Sequence, residues 1–144
     1  MSLAYFDTSA LVKNYVQEAG STRVRELLRA YEFLSSAIAP IEIHSAVRRR
    51  HSQGEITRPI YTAILSRVKQ DRFFWRLVEP VPEVLAKAEE IVKDHNVRTL
   101  DAVHLASAIV IQDSISTQLP FITADDRQLA AARDCKLETI TVIH

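Results

Sequence analysis

The sequence predicts an α/β fold: a parallel sheet of about four or five strands covered by helices on both faces. Three observations carry this expectation. Short β-prone runs alternate with helical patterns along the whole chain, and alternation of that kind builds a parallel sheet whose connections are helices. Of the 144 residues, 47% are hydrophobic, enough for one substantial core and, at this length, too few to favour two. Only two glycines and five prolines interrupt the chain, and no stretch reads as a repeat, a polar linker or a block of like charge. One domain over residues 1–144 is expected.

The elements follow in order. Leu3-Ala4-Tyr5-Phe6 is a short apolar run that ends at Asp7-Thr8-Ser9, the pattern of a strand, a cap and then a helix reaching about Glu18. Val24, Leu27 and Leu28 set a helical period within residues 21–30, and Glu32 to Ser36 reads as a second strand. Pro40 suits a helix N1 position and Gly54 a helix end. Ile60, Ile64, Leu65 and Val68 space a helix from about Thr57 to Arg72, followed by β-prone Phe73 to Val78. After the turn at Pro80 and Pro82, a stripe of Val84, Leu85, Ala88, Ile91 and Val92 predicts a helix to His95-Asn96. Thr99 is placed to cap the next helix, to about Asp113. Phe121 to Thr123 is strand-like, Asp125 to Arg133 helical, and Thr139 to Ile143 a closing strand.

Composition excludes several classes of function. The N-terminus has no basic n-region and meets Asp7 too early for a signal peptide; the longest apolar run, Ala102 to Ile111, is too short to span a bilayer. No membrane association is expected. Cys135 is the only cysteine, so an internal disulfide and a cysteine-based zinc site are excluded, and a reducing, cytoplasmic location is expected. Eighteen basic residues balance eighteen acidic ones, which gives the whole molecule no bulk attraction for nucleic acid. If four acids gather around metal ions, however, the rest of the chain carries a formal excess of four positive charges, mostly on arginine, whose planar fork pairs well with phosphate.

Three acids follow expected strands and begin helices: Asp7 directly, Glu42 a few residues after the second strand, and Asp125 two residues after Thr123. In an open parallel sheet those positions share one rim, the rim where ligands bind. Asp101 starts a helix that follows another helix, and its spacing alone does not place it there. Each acid also has a bland reading, because a carboxylate in the first turn of a helix is favoured by the macrodipole and by free backbone N–H groups. Asp125 with Gln128 fits a capping box. Taken one at a time, the spacing leaves both readings open.

Taken together, the motifs are more specific. Tyr5-Phe6-Asp7-Thr8-Ser9-Ala10-Leu11, then Ser36 with Glu42, then Leu100-Asp101-Ala102-Val103-His104-Leu105-Ala106-Ser107-Ala108, then Phe121-Ile122-Thr123-Ala124-Asp125 resemble the ordered signature of PIN domains. The similarity is strongest to VapC-type toxins of prokaryotic toxin–antitoxin pairs, and it covers essentially the whole chain. The resemblance implies a PIN-like nuclease in which Asp7, Glu42, Asp101 and Asp125 bind Mg2+ or Mn2+ and carry catalysis, with Thr8, Ser9 and Thr123 supporting the site. It also implies an RNA substrate and a cognate antitoxin, and with them a homodimer is expected. Asp126 doubles the acid of the last motif and is a further supporting candidate; Cys135 stands where similar chains often carry glycine.

The chemistry fits those residue types. Hard divalent ions prefer oxygen ligands, and magnesium keeps several waters, so a few carboxylates suffice; a metal-activated water can then attack a phosphodiester. His104, three residues after Asp101, shares a helix face with it; the default reading is a packed helix histidine, and support of the site is the alternative. Arg48-Arg49-Arg50-His51 reads first as a solvated helix face and second as a phosphate contact. Phe73-Phe74-Trp75 reads first as core and second as a base-stacking platform. Competing functions are a stand-alone PIN nuclease, a magnesium-dependent phosphatase or receiver-like domain, and an inactive RNA-binding module. A receiver would show an acidic pair near the first strand end and a late lysine, whereas Asp7 stands alone. An inactive module would have no evident need for four acids.

Overall fold

In the computed structural model, which describes residues 1–142, five parallel strands form one sheet in the order β3-β2-β1-β4-β5. The strands are β1 (Leu3–Phe6), β2 (Glu32–Ser36), β3 (Arg76–Val78), β4 (Phe121–Thr123) and β5 (Thr139–Thr141). The connecting helices are α1 (Thr8–Leu11), α2 (Ser21–Ala30), α3 (Ala39–Ser52), α4 (Arg58–Asp71), α5 (Pro82–Asp94), α6 (Thr99–Ile115) and α7 (Asp126–Asp134). The register is tight around β1, with Tyr5 opposite both Leu34 and Phe121.

Alternation along the strands sends side chains to two cores. Tyr5, Leu34 and Phe121 pack with Val84, Ala88 and Ile91 of α5 and with the inner face of α6. Ala4, Phe6 and Ile122 point the other way, against Val24 and Leu27 of α2. Phe33 links this second face to the α3–α4 hairpin, where Ile43, Val47, Ile64 and Val68 are buried together. The period of two in the strands and of 3.6 in the helices therefore yields the expected sheet covered on both faces.

Several expectations are corrected. The helix expected to reach Glu18 stops at Leu11 and tightens into a 3-10 turn, Val12–Asn14. Its apolar spacing survives, because Val12, Tyr15 and Val16 stay buried, but Lys13 Nζ bonds to the Ala19 carbonyl and Glu18 and folds the chain back. Gly20 completes that turn at φ +90°, where a Cβ would lie 2.1 Å from the Val142 carbonyl oxygen, so only glycine allows this close approach. Thr99 is not a cap: α6 begins at Thr99 itself, and the capping position falls on Arg98 without a side-chain bond. Phe73 and Phe74 are neither strand nor core. They sit on a 3-10 turn, Arg72–Phe74, at 83% and 88% exposure, and only Trp75 packs inward, against Phe33. The closing strand ends at Thr141; its expected last residue, Ile143, lies outside the described residues.

Candidate active site

The chain adds β2 and β3 on one side of β1, then returns to add β4 and β5 on the other. The loops leaving β1 and β4 therefore diverge, and a crevice opens between them at the carboxyl ends of the strands. Asp7 leaves β1 and Asp125 leaves β4. Glu42 lies in the first turn of α3, after β2. Asp101 reaches the same rim by a different route. A helix that carries the chain back to the start of a parallel strand must begin at the carboxyl end of the sheet, and α6 precedes β4. Its first turn, with Asp101, therefore faces the crevice. The four acids line one cleft of about 190 Å3 with Thr8, Ser9, Arg49 and His104.

Asp7 is built in firmly. At 3% exposure, its Oδ1 accepts from Ser9 Oγ (2.6 Å) and from the Ala10 N–H (3.2 Å), and its Oδ2 from Thr123 Oγ1 (2.7 Å). Ser9 Oγ also accepts the Ala124 N–H at 3.0 Å, which ties the loops after β1 and β4 together. Burial pushes the Asp7 carboxyl above its ordinary pKa, while the three hydrogen bonds and the nearby His104 oppose the shift.

Glu42 is held through a buried relay. Its Oε1 accepts from Thr8 Oγ1 at 2.7 Å and from His104 Nε2 at 2.6 Å. The Glu42 oxygen accepts, so Nε2 carries a proton, and the other ring nitrogen, Nδ1, hydrogen-bonds to Tyr5 OH, 2.7 Å away. His104 is 2% exposed, and Tyr5 comes from the middle of the central strand. Glu42 is thereby anchored to the sheet core, a span of three side chains. The packed histidine of the sequence reading is thus both packed and joined to the site.

The other wall is looser. Asp125 caps α7, accepting the Gln128 N–H on Oδ1 at 2.9 Å. The capping box is not completed, because the Gln128 side chain turns away and donates through Nε2 to the Asp101 carbonyl at 2.9 Å. One buried glutamine therefore spans the two helix starts that carry Asp101 and Asp125. The Asp101 carboxylate has no hydrogen-bond partner among the described residues, and burial first, then the negative charges of Asp125 and Glu42, raise its pKa, against the opposing charge of His104. Asp126 is exposed on the first turn of α7, outside the residues that line the cleft.

Whether these residues suit a divalent ion can be asked of their donor atoms. Among the described residues, no three His, Cys, Asp or Glu side chains stand close enough together to hold an ion as placed. Their chemistry fits nonetheless. A carboxylate offers about four lone-pair sites, and Asp7 uses three, Glu42 two and Asp125 one in the hydrogen bonds given above. All four acids retain an oxygen acceptor, and the set is wholly oxygen, as hard cations require. Gathering it on an ion takes side-chain rotation, for which the more exposed Asp101 and Asp125 are better placed than Asp7.

The basic run at 48–51 divides. Arg50 pairs with Glu18 at 2.7 Å and with Glu55 at 3.3 Å, His51 stacks on Tyr61, Arg48 is exposed, and Arg49 lines the cleft. Tyr5 and Gln128 are the site-supporting residues that the sequence reading missed. Tyr5 had a signal, its polar handle in a buried strand one residue from a turn; Gln128 had none beyond its capping-box position.

A parallel sheet with four acids lining one cleft at its switch point defines a small α/β domain with an acidic site at the carboxyl ends of its strands. The family model for the PIN domain matches residues 4–134, and the chain belongs to the PIN-domain family. Within it, the chain is 34% identical over 119 residues to Ribonuclease VapC45 of Mycobacterium tuberculosis, covering 78% of this chain and 79% of that protein. It is 28% identical over 137 residues to Ribonuclease VapC47 of the same organism, covering 92% and 91%. Among solved structures, a toxin–antitoxin complex from Klebsiella pneumoniae superposes with a TM-score of 0.69 at 16% identity, over 96% of this chain and 97% of that one, a likeness of fold.

Proposed function

We propose that this chain is a metal-dependent endoribonuclease of the VapC type, the toxin of a toxin–antitoxin pair, acting as one nuclease domain over residues 1–144. The observation that carries the reading is the convergence of Asp7, Glu42, Asp101 and Asp125, far apart in sequence, on one cleft at the switch point of the sheet. The names of the relatives, ribonucleases by description, point the same way. Asp7, Glu42, Asp101 and Asp125 would hold magnesium or manganese. When bound, the cation supplies neutralisation of the phosphate and acidification of a water.

The chain's own groups do the rest. Ser9, Thr123 and the Ala10 N–H fix both oxygens of Asp7. Thr8 and His104 occupy Oε1 of Glu42, and Oε2 has no hydrogen bond among the described residues. Such outer hydrogen bonds fix ligand orientation before substrate arrives. Cleavage of single-stranded RNA in manganese, in chelator, and by the Asp7→Asn protein tests the proposal. Cleavage is expected in manganese alone; undiminished cleavage in chelator or by Asp7→Asn would sink it.

An antitoxin docking across the helices between Pro40 and Arg76 belongs to the same proposal. Exposed Ile41, Ile60, Phe73 and Phe74 line that region, an apolar inventory suited to a partner. The Klebsiella relative in fold was solved as a toxin–antitoxin complex. A homodimer is proposed through α5 and the start of α6, where Val81, Leu85, Val92 and Leu100 are about half exposed beside an apolar groove. No described helix is long and apolar enough to cross a membrane, and a cytoplasmic location completes the proposal. A fully active monomer that retains no partner from its own operon would overturn both assembly claims.

A further inference from the structure

A second depression, of about 380 Å3, opens directly beside the acid cleft and shares Asp101 and Asp125 with it. Its remaining lining includes Asn96, Arg98, Arg127 and Gln128. Arg98 stands at the start of α6 and Arg127 in the first turn of α7, both exposed. Neither enters an ion pair among the described residues. The positive charge of Arg98 acts on Asp101. Across the cleft, Arg49 also lines the wall without an ion pair among those residues, although its neighbour Arg50 is fully engaged.

Four carboxylates in one cleft repel any polyanion, and a protein of zero formal charge supplies no general attraction to offset this. A substrate of linked phosphodiesters must therefore be held by cations placed on either side of the acids. We propose that the groove of Arg98 and Arg127 is a phosphate subsite for the RNA strand: the backbone passes Arg49, crosses the acids, and one flanking phosphate seats between the two guanidiniums. Planar guanidiniums suit that task, because each can offer two parallel N–H donors to one phosphate. Unpaired arginines beside two helix starts cost little to recruit, since no internal salt bridge has to break first. This inference rests on the ribonuclease reading and extends it to the path of the strand.

The test is binding of a fluorescein-labelled 20-residue oligouridylate to the full chain in chelator, followed by anisotropy between about 50 and 200 mM salt. Both arginines are exposed, so Arg98→Ala, Arg127→Ala and the double variant should fold, and thermal melts check this. The double variant is expected to raise Kd about tenfold. The slope of log affinity against log salt should become shallower by about 0.7, since one phosphate neutralised on a single strand contributes about that much. The Arg98→Lys/Arg127→Lys protein should recover the slope, because the charge is kept. Arg29→Ala, in the last turn of α2, should leave Kd within twofold. Unchanged Kd and slope in the double variant overturn the subsite while leaving the ribonuclease reading intact. So does wild-type RNA binding in a double variant that no longer holds a co-expressed antitoxin, which would make the groove a protein contact. Wild-type protein that binds no RNA overturns both. The expected Kd and slope changes, found in a chain that cleaves nothing in manganese, would support the subsite and remove the hydrolytic reading.

Discussion

The two walls of the cleft are made differently. On one, Asp7 and Glu42 are held by five hydrogen bonds, from Ser9, Ala10, Thr123, Thr8 and His104. On the other, Asp125 keeps a single backbone bond and the Asp101 carboxylate none among the described residues. On the first wall Asp7 leaves the central strand directly, and Glu42, on α3, is tied to that strand through His104 and Tyr5. The second sits on the starts of two helices joined by one glutamine. The difference teaches where the charge stress of the site falls. Hydrogen bonds satisfy the buried acid, Asp7, whereas the Asp101 carboxylate, with no hydrogen bond among the described residues, meets Asp125 and Glu42 with only the positive charges of His104 and Arg98 to offset them. Clustered acids are stressed both by like-charge repulsion and by burial. Here burial leads for both Asp7 and Asp101, and repulsion comes second, in Asp101.

The comparison breaks most sharply at Asp7. Asp7→Asn puts an amide where two hydroxyls and an N–H donate, so it disturbs the fixed wall as well as removing a charge. Cleavage should fall by about a thousandfold or more, several kcal/mol of charge stabilisation, measured as kcat/KM with RNA in manganese. Next comes the relay. His104→Leu should lower cleavage and manganese affinity by about 10- to 100-fold, the usual cost of losing an outer hydrogen bond to a ligand. His104→Gln, which keeps a donor near Nε2, should recover part of it. Tyr5→Phe should have a smaller effect in the same direction. Equal activity in His104→Leu and wild type would mean that Glu42 needs no anchor.

A milder change tests the loose wall. Gln128→Leu removes the bond to the Asp101 carbonyl, together with a buried Oε1 that has no partner among the described residues. Losing one such bond costs about 1 kcal/mol, while deleting the unsatisfied oxygen returns part of that. The expectation is a drop in cleavage of a few fold with little change in Tm. A loss as large as that of His104→Leu would make the second wall as rigid as the first.

Much of this arrangement was legible in the sequence, for physical reasons that differ by residue. Asp7 was clear because strand, acid and helix follow within a few residues, and local pattern determines where such an acid points. Ser9 and Thr123 came from the resemblance to PIN domains and from no local pattern. Asp101 was named by the resemblance alone and not by its spacing, because its place depends on α6 being the helix that returns the chain to β4, a property of topology. The aromatic pair Phe73-Phe74 misled, since hydrophobicity alone does not distinguish a core from a surface awaiting a partner. Thr99 fitted a cap by type, yet the helix began one residue earlier than that role needs. The role of Tyr5 depends on a contact 99 residues away, which no spacing rule reaches.

The smallest expected effect concerns stability. Asp7 and Asp101 both have raised folded-state pKa values. For each, the stabilising contribution is fully present below the unfolded value and is lost as pH rises through the folded value. From about the ordinary aspartate value of 3.8 upward, the metal-free protein should lose stability through these two groups. Asp101→Asn removes one of them, and at neutral pH in chelator it should melt above wild type. A lost first-turn acid, worth roughly 0.3 to 1 kcal/mol, acts against this gain. At pH 4 the difference should shrink; a difference independent of pH would assign it to packing.

The central claim is that Asp7, Glu42, Asp101 and Asp125 act as one cation site. Calorimetric titration of manganese into the metal-free protein at neutral pH tests it most directly, because it needs neither RNA nor catalysis. Wild type should bind saturably, and Asp7→Asn and Asp101→Asn should each weaken binding at least about tenfold, each from its own wall of the cleft. Manganese that binds wild type no more tightly than it binds Asp7→Asn would contradict the account.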